Sequence, residues 1–457
     1  MLAADNYFKG QDEEITKKTR SYFDKDRKEI ENPAAYNSQI KSNFLRMLVQ
    51  QHQNYAFAKT FIFKIYDEDK KEIDLKKDEY CKQWQKFLDD ILYKLVYQLS
   101  GNAINHGIGW VYVWIDEDGS LKLKEAAADL IYPVWKDEEH TVLDRLVYHY
   151  TVQVYNDLSP TQNDYAEYWD SKERRLFKIN DGYKEENPGE NHYHLSNGNE
   201  EQSWGRVPFV YLKTTDDEKT LLSFIKEQVD AYNMLASKSV DGLIDDLDPL
   251  LVLKGISPAV GDLIEARELA RMTRTIATDT DGDAGYIQAQ TPIDNHIKEL
   301  QTLRRDIIKF GYGVDYEDSR FSGNPNQLLI KSLYQDLDTY TDGLERHFQN
   351  FIDNLKYFFD KWWEFSRKGS FEECQKYTVL ISLDRSMMLN LSSQIEDTVK
   401  LMNTGVSQRT LLEFNPAVQE VDMELERLEE ERKEAAEKEE LFNFNAENKE
   451  QQEEKPK

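Results

Sequence analysis

Few residues in this sequence have the types and spacing that could do chemistry. In ATDTDGDAGYI, the alternating Asp279, Asp281 and Asp283 resemble the opening of a calcium-binding loop. Such a loop turns sharply on a glycine at its sixth position and closes on a bidentate glutamate at its twelfth. Ala284 and Gln290 stand at those positions, so a turn between strands is the better reading. In NHYHL, His192 and His194 would share one side of a strand, and two imidazoles so placed could begin a zinc or manganese site. No HExxH pattern and no third ligand accompany them, so a metal-dependent hydrolase built on them is the weakest reading. His106 precedes Gly107 and Gly109 at a helix-to-hairpin corner, where glycines serve backbone geometry rather than phosphate. The phosphate-cradling, dinucleotide and serine-elbow motifs are all absent. The expectation is a chain with no catalytic residue, no metal and no cofactor.

Composition narrows the partners. The 457 residues carry 58 Lys and Arg against 86 Asp and Glu, a formal charge of -28. Binding to nucleic acid by phosphate neutralisation is therefore not expected. A protein past which DNA slides is compatible with this charge, because an acidic wall repels phosphate. The last 35 residues contribute only -6 of the total, so the acidity is not a tail effect. Cys81 and Cys374 lie far apart without a CxxC, which fits a reducing compartment. The opening MLAADNYFKGQDEE does not read as a signal peptide, and no run of 18 apolar residues suggests a membrane span.

The elements follow from periodicity. Phe44, Leu45, Leu48 and Val49, then Trp84, Phe87, Leu88, Ile91, Leu92, Leu95 and Val96, step at helical spacing. After residue 101 the period becomes two. Val111, Val113 and Ile115 alternate with Tyr112 and Trp114, DEDGS turns the chain, and Leu121 and Leu123 resume the alternation. Further strands are expected in DRLVYHYTVQVYN, DYAEYWD, RRLFKIN and RVPFVYLKT. Helices follow over TLLSFIKEQVDAYNMLASKSVDGLIDD and IDNHIKELQTLRRDIIKFG, with a strand LLVLKGI between them. The longest pattern covers residues 326–367, a rod of about 63 Å. Its aromatic stripe of Phe348, Phe351, Phe358, Trp362 and Trp363, with Phe359, widens beyond one helical face. A lone helix cannot bury such a band, so it is expected to pack against a neighbouring subunit or domain. A strand YTVLISL and two shorter helices complete the pattern, and the acidic tail thins in apolar residues and is expected to be disordered from 441. The fold class is α+β, mainly helical.

Between the last two long helices lies FGYGVDYEDSRFSGN. Gly311 and Gly313 would release the chain from one helix, and Gly323 precedes the next, with Ser322 or Asn324 as a possible cap. Asp315, Glu317 and Asp318 outnumber Arg320.

The order of these pieces resembles the portal proteins of tailed double-stranded DNA phages, in the branch typical of long-tailed phages of Gram-positive hosts. The likeness is carried by NSQIKSNFLRMLVQQHQNYAFAKTF, NHGIGWVYVWIDEDGSLKL with YPVWKDEEH, GRVPFVYLK leading into FIKEQVDAYNMLASKSVDGLIDDLDPLLVLKG, RFSGNPNQLLIKSLYQDL, and GVSQRTLLEFNPAVQEVDMELERLEEE. Together these span most of the chain. The resemblance implies a ring, usually of twelve subunits, around a DNA channel, with no covalent chemistry. It implies a wing at 1–216, stem helices at 217–247 and 295–312, and a clip at 248–294. A tunnel loop at 313–325, a long wing helix with its strand at 326–384 and a crown at 385–440 would follow. The loop residues Gly313, Asp315, Tyr316, Glu317, Asp318, Ser319, Arg320, Phe321, Ser322, Gly323 and Asn324 would then face DNA. Implied partners are further copies of the chain, the terminase large subunit, head-completion or connector proteins, scaffold and major capsid protein, and DNA passing without sequence specificity. The implied location is the capsid vertex of the virion, and host cytoplasm during assembly. A phage scaffold or adaptor without a channel is the alternative.

Overall fold

The computed structural model describes residues 1–433 except 24–27, 32–35, 74–77, 157–158, 180–181, 187–193, 198–199, 247–249, 255–282, 288–291, 322–326, 386–398, 403–404, 414, 416–417, 419–420, 422–423, 426 and 430. The helices used below are α1 (Leu2–Phe8), α2 (Glu13–Thr16), α3 (Phe44–Phe57), α4 (Glu79–Phe87), α5 (Tyr93–His106), α6 (Leu222–Asp246), α7 (Ile293–Phe310) and α8 (Gln327–Phe365). The mixed helix and sheet content fits the α+β expectation. The chain divides into two compact units, one of residues 1–315 with 336–386, the other of 316–335 with 387–457. Among the described residues no helix is long and apolar enough to cross a membrane.

In the first unit, α3, α5 and α8 share one core with the strand Ile62–Tyr66, which pairs antiparallel with Thr378–Ser382. Leu45, Leu48, Val49, Ala56 and Phe57 are the buried stripe of α3. Between α4 and α5 the helix makes a π turn at Leu88–Leu92, whose extra residue keeps Phe87, Leu88, Leu92 and Val96 in the core. Gly107 ends α5 at φ +87, and a Cβ there would meet the Glu218 carbonyl oxygen at 2.1 Å. Only glycine satisfies both conditions.

The aromatic stripe of α8 requires a correction. Phe348, Phe351, Phe358, Trp362 and Trp363 do not wait for a neighbouring subunit; all are buried within their own chain. Phe348 sits edge-on to Phe57 and Phe61 at 5.3 and 4.9 Å, and Phe351 stacks beside it at 5.9 Å. Phe359 stacks on Trp84 at 4.0 Å, Phe358 meets Trp204, and Trp363 meets Tyr80. The Trp362 indole N–H donates to the Gly119 carbonyl at 2.8 Å, at the tip of the hairpin. The band is wide because it is contacted from several directions by elements far away in sequence. Each such ring gains about 1.5–3 kcal/mol on burial, an area no longer open to another copy. Asp360, fully buried among them, accepts from Tyr80 at 2.5 Å, Lys356 at 2.5 Å and Gln375 at 3.0 Å.

The hairpin expected after residue 107 forms, Ile108–Ile115 against Leu121–Ala126, with Phe209–Lys213 on its other edge. Its alternation serves two cores. Val111 and Val113 face the helices, while Ile108 and Trp110 face a second core with Ile131, Leu146, Trp169 and Phe209. That core is closed by a five-stranded antiparallel sheet ordered Lys184–Glu185, Arg174–Lys178, Ser159–Trp169, Leu143–Asn156, Ile131–Trp135.

Helices α6 and α7 run antiparallel. The Ser239 hydroxyl is 2.9 Å from His296 Nδ1 at one end, and the Phe224 and Tyr312 rings meet edge-on at 6.3 Å at the other. Beyond them Leu250–Lys254 pairs antiparallel with Asp283–Ile287. The N-terminal segment is tied to α6 by polar contacts. Lys18 and Asp241 form a buried ion pair at 2.5 Å, Ser38 donates to Asp241, and Asn233 donates to Asp12 at 2.6 Å. The second unit contains a short 3-10 turn at Ser319–Phe321, the start of α8 and the helix Gln408–Glu413.

Candidate functional site

The site is built where α7 hands over to the loop. Ile307 and Ile308 are the buried residues of α7. Past them the helix unwinds through hydrogen bonds from Gly311 N–H to the Ile307 carbonyl, 2.9 Å, and from Gly313 N–H to the Ile308 carbonyl, 2.8 Å. The glycines do not act as hinges. Gly311 has an ordinary φ of -83, and both glycines are buried against α3. A Cβ on Gly311 would stand 2.5 Å from Leu48 Cδ1, and one on Gly313 would stand 2.4 Å from Leu48 Cδ2. What requires glycine here is close approach to another helix.

Side chains of α3 then clamp the chain. Gln51 donates to the Val314 carbonyl at 2.9 Å and accepts from the Val314 N–H at 2.9 Å, so one amide closes a two-bond ring around a buried residue. His52 Nε2 donates to the Gly311 carbonyl at 2.7 Å, and its ring lies 4.4 Å from that of Tyr340. Burial pushes the His52 imidazole down to about 4, against the pull of that carbonyl. Asp315 pairs with Arg304 of α7 at 2.9 Å.

From Tyr316 onward the chain belongs to the second unit. Tyr316 is exposed, with its ring 6.0 Å from that of Phe321. Asp318 accepts from Arg320 at 3.0 Å (Nε) and 2.7 Å (a terminal guanidinium nitrogen), and from the Arg320 backbone N–H at 2.8 Å. These hydrogen bonds hold the Asp318 carboxyl down to about 2. Ser319 lies in the 3-10 turn, and Ser322, Gly323 and Asn324 lie outside the described residues.

The structure thus separates residues that the sequence groups together. Gly313 and Asp315 belong to an anchored base, while Tyr316, Glu317, Asp318, Ser319, Arg320 and Phe321 lie beyond it. Sequence reasoning missed the anchors Gln51, His52 and Arg304. One signal was available for His52: it falls four residues after Leu48 and three after Val49, a polar residue on an apolar stripe.

The antiparallel pair α6–α7 leaves apolar side chains at its surface. Leu243, Ile293 and Ile297 are 42, 40 and 46 % exposed, the last two one helical turn apart.

The other candidates gather no site. Asp283 stands in a strand, and so do Ala284 through Ile287, where a calcium loop would have to turn; Asp279 and Asp281 lie outside the described residues. His192 does too. His194 has its ring 5.7 Å from Trp169, and burial lowers its pKa. Among the described residues no three His, Cys, Asp or Glu side chains are grouped to hold a metal. Cys81 and Cys374 are both buried and free, and burial pushes the Cys374 thiol up to about 12.

With this geometry in view, the chain was compared with known proteins. Residues 1–438 match a family described as phage portal protein, SPP1 Gp6-like. A portal protein of Bacillus phage SPP1 is 25% identical over 434 residues, covering 93% of this chain and 82% of that protein.

Proposed function

Because this chain belongs to the SPP1 Gp6-like family of phage portal proteins, we propose that it is one subunit of a homo-oligomeric ring at the capsid vertex, through whose channel DNA enters and leaves. The observation that carries the reading is the clamped loop: an antiparallel helix pair delivers the chain to a base fixed by Gln51, His52 and Arg304, and an acidic, exposed segment follows. Repeated about an axis, such segments form a constriction.

In this reading the residues facing DNA are Tyr316, Glu317, Asp318, Ser319, Arg320 and Phe321, continued by Ser322, Gly323 and Asn324, with Gly313 and Asp315 as their footing. The α6–α7 pair is the stem, and its exposed Leu243, Ile293 and Ile297 supply the packing between copies that the α8 aromatics do not. The wing, clip and crown keep the boundaries given above. Twelve copies, docking of the terminase large subunit and head-completion proteins, contact with scaffold and major capsid protein, and assembly in host cytoplasm complete the proposal. A channel-free scaffold or adaptor accounts less well for the family membership.

Electron microscopy of the purified protein tests this. Rings with density from residues 316–324 at the central hole are expected. Monomers under all assembly conditions, or rings with that segment on the outer rim, overturn it.

A further inference from the structure

A groove of about 650 Å³ opens between α1, α3, α5 and the strand Leu121–Ala126, away from the loop. Its hydrogen-bonding inventory is unbalanced. Asn105 and His106 are 3 and 8 % exposed, and both line the groove. Both turn a nitrogen toward the same Asp5 oxygen, Asn105 Nδ2 at 3.4 Å and His106 Nε2 at 2.9 Å. A carboxylate only accepts, so this orientation fixes the atom left over on each. Those atoms are Asn105 Oδ1 and His106 Nδ1, which are buried without a partner. With its proton on Nε2, the His106 ring offers Nδ1 as an acceptor.

The remaining lining adds acceptors. Glu125 takes one hydrogen bond, from Asn102 at 2.5 Å, and burial holds its carboxyl above the usual range. Asp5 and Asp129 contribute further carboxylates, and Lys9 is engaged by Asp5 at 2.8 Å. Two orphaned acceptors beside a half-desolvated carboxylate call for a donor with several N–H groups and a positive charge. Among the described residues no cluster here has the ligands of a metal site.

We propose that this groove receives an arginine side chain from a second copy of the chain. A guanidinium presents five donors in a rigid plane and can meet several acceptors at once, which a lysine ammonium does less well. A second copy is the favoured source on charge grounds. Chains of formal charge -28 repel one another, and a head-to-tail ring sets two different surfaces face to face. An acceptor-rich groove on one of them then matches a basic side chain on the other. The inference rests on the ring reading above.

The test compares ring formation of the full chain by native mass spectrometry with that of Glu125→Gln and Glu125→Arg, across a salt series. The expected result is an apparent dissociation constant raised about tenfold or more for Glu125→Gln, and no ring for Glu125→Arg while its melting curve as a monomer stays that of the parent. In parallel, a photo-cross-linker at Gln98, on the groove wall, is activated in rings mixed from light and heavy copies. Adducts joining it to an arginine-bearing peptide of the other copy support the inference. Adducts confined to one copy, or rings formed equally by Glu125→Arg, overturn it alone. Failure of the parent chain to form any ring removes the ring reading and this inference with it.

Discussion

The Gln51 clamp can be broken without touching the loop. In Gln51→Met the side-chain volume is nearly kept, but the Val314 N–H and C=O lose their partners. Val314 is only 3% exposed, so water does not replace the amide while the segment stays docked. Two net hydrogen bonds are worth about 2 kcal/mol together, and more if the freed groups stay buried. At about 1.4 kcal/mol per factor of ten, local opening of residues 311–315 should rise about 30-fold. Hydrogen exchange followed by mass spectrometry reads this directly in the peptide that contains Val314. Peptides from the α8 core serve as the control, because Leu48, the two glycines and His52 still hold the rest of the contact. Unchanged exchange at 311–315 would refute the clamp. An equal rise in the core peptides would refute its locality, showing that Gln51 supports the whole unit instead.

Two other changes probe the surroundings. Phe359→Ala removes a fully buried ring stacked on Trp84 and should cost the isolated subunit about 3–5 kcal/mol in denaturant unfolding; a subunit of unchanged stability whose assembly alone weakens would restore the stripe as an intersubunit surface. His52 stays neutral in the folded chain down to about 4, whereas unfolded histidine takes a proton near 6.5, so the unfolded state binds more protons between those values. Stability should therefore fall as pH drops through that window, and His52→Gln should flatten this part of the profile.

What the sequence made legible follows from the range of the interactions involved. The hairpin after Gly107 could be read because alternation and a DEDGS turn are local, and α6, α7 and α8 because their apolar periods are long. The strand Ile62–Tyr66 was missed because its partner, Thr378–Ser382, lies some three hundred residues away. The π turn at Leu88–Leu92 is masked because a one-residue insertion changes a helical pattern very little. The breadth of the α8 stripe was legible, but not what covers it: Trp84, Trp204 and Phe61 sit in segments whose own patterns give no hint of their target. The glycines before the loop are the sharpest case. From sequence, two glycines beside a charged stretch suggest freedom. In the fold they allow Leu48 and Gln51 to approach, and they fix the chain.

That reversal changes how the loop's charge should be understood. Counted from sequence, three acids against one arginine describe a diffusely negative segment. In the structure Asp315 is matched by Arg304, and Asp318 holds Arg320 through both Nε and a terminal nitrogen. On the channel reading, a phosphate drawing near Arg320 must displace a carboxylate already in place, so the exchange gains little. Affinity for DNA rises with the number of phosphates that lysine and arginine neutralise; a guanidinium already neutralised adds little to that number. The segment would then resist sticking by internal pairing as well as by repulsion. Internal pairing at contact distance is screened by salt far less than repulsion across the width of a channel, so passage of DNA would stay weakly dependent on ionic strength.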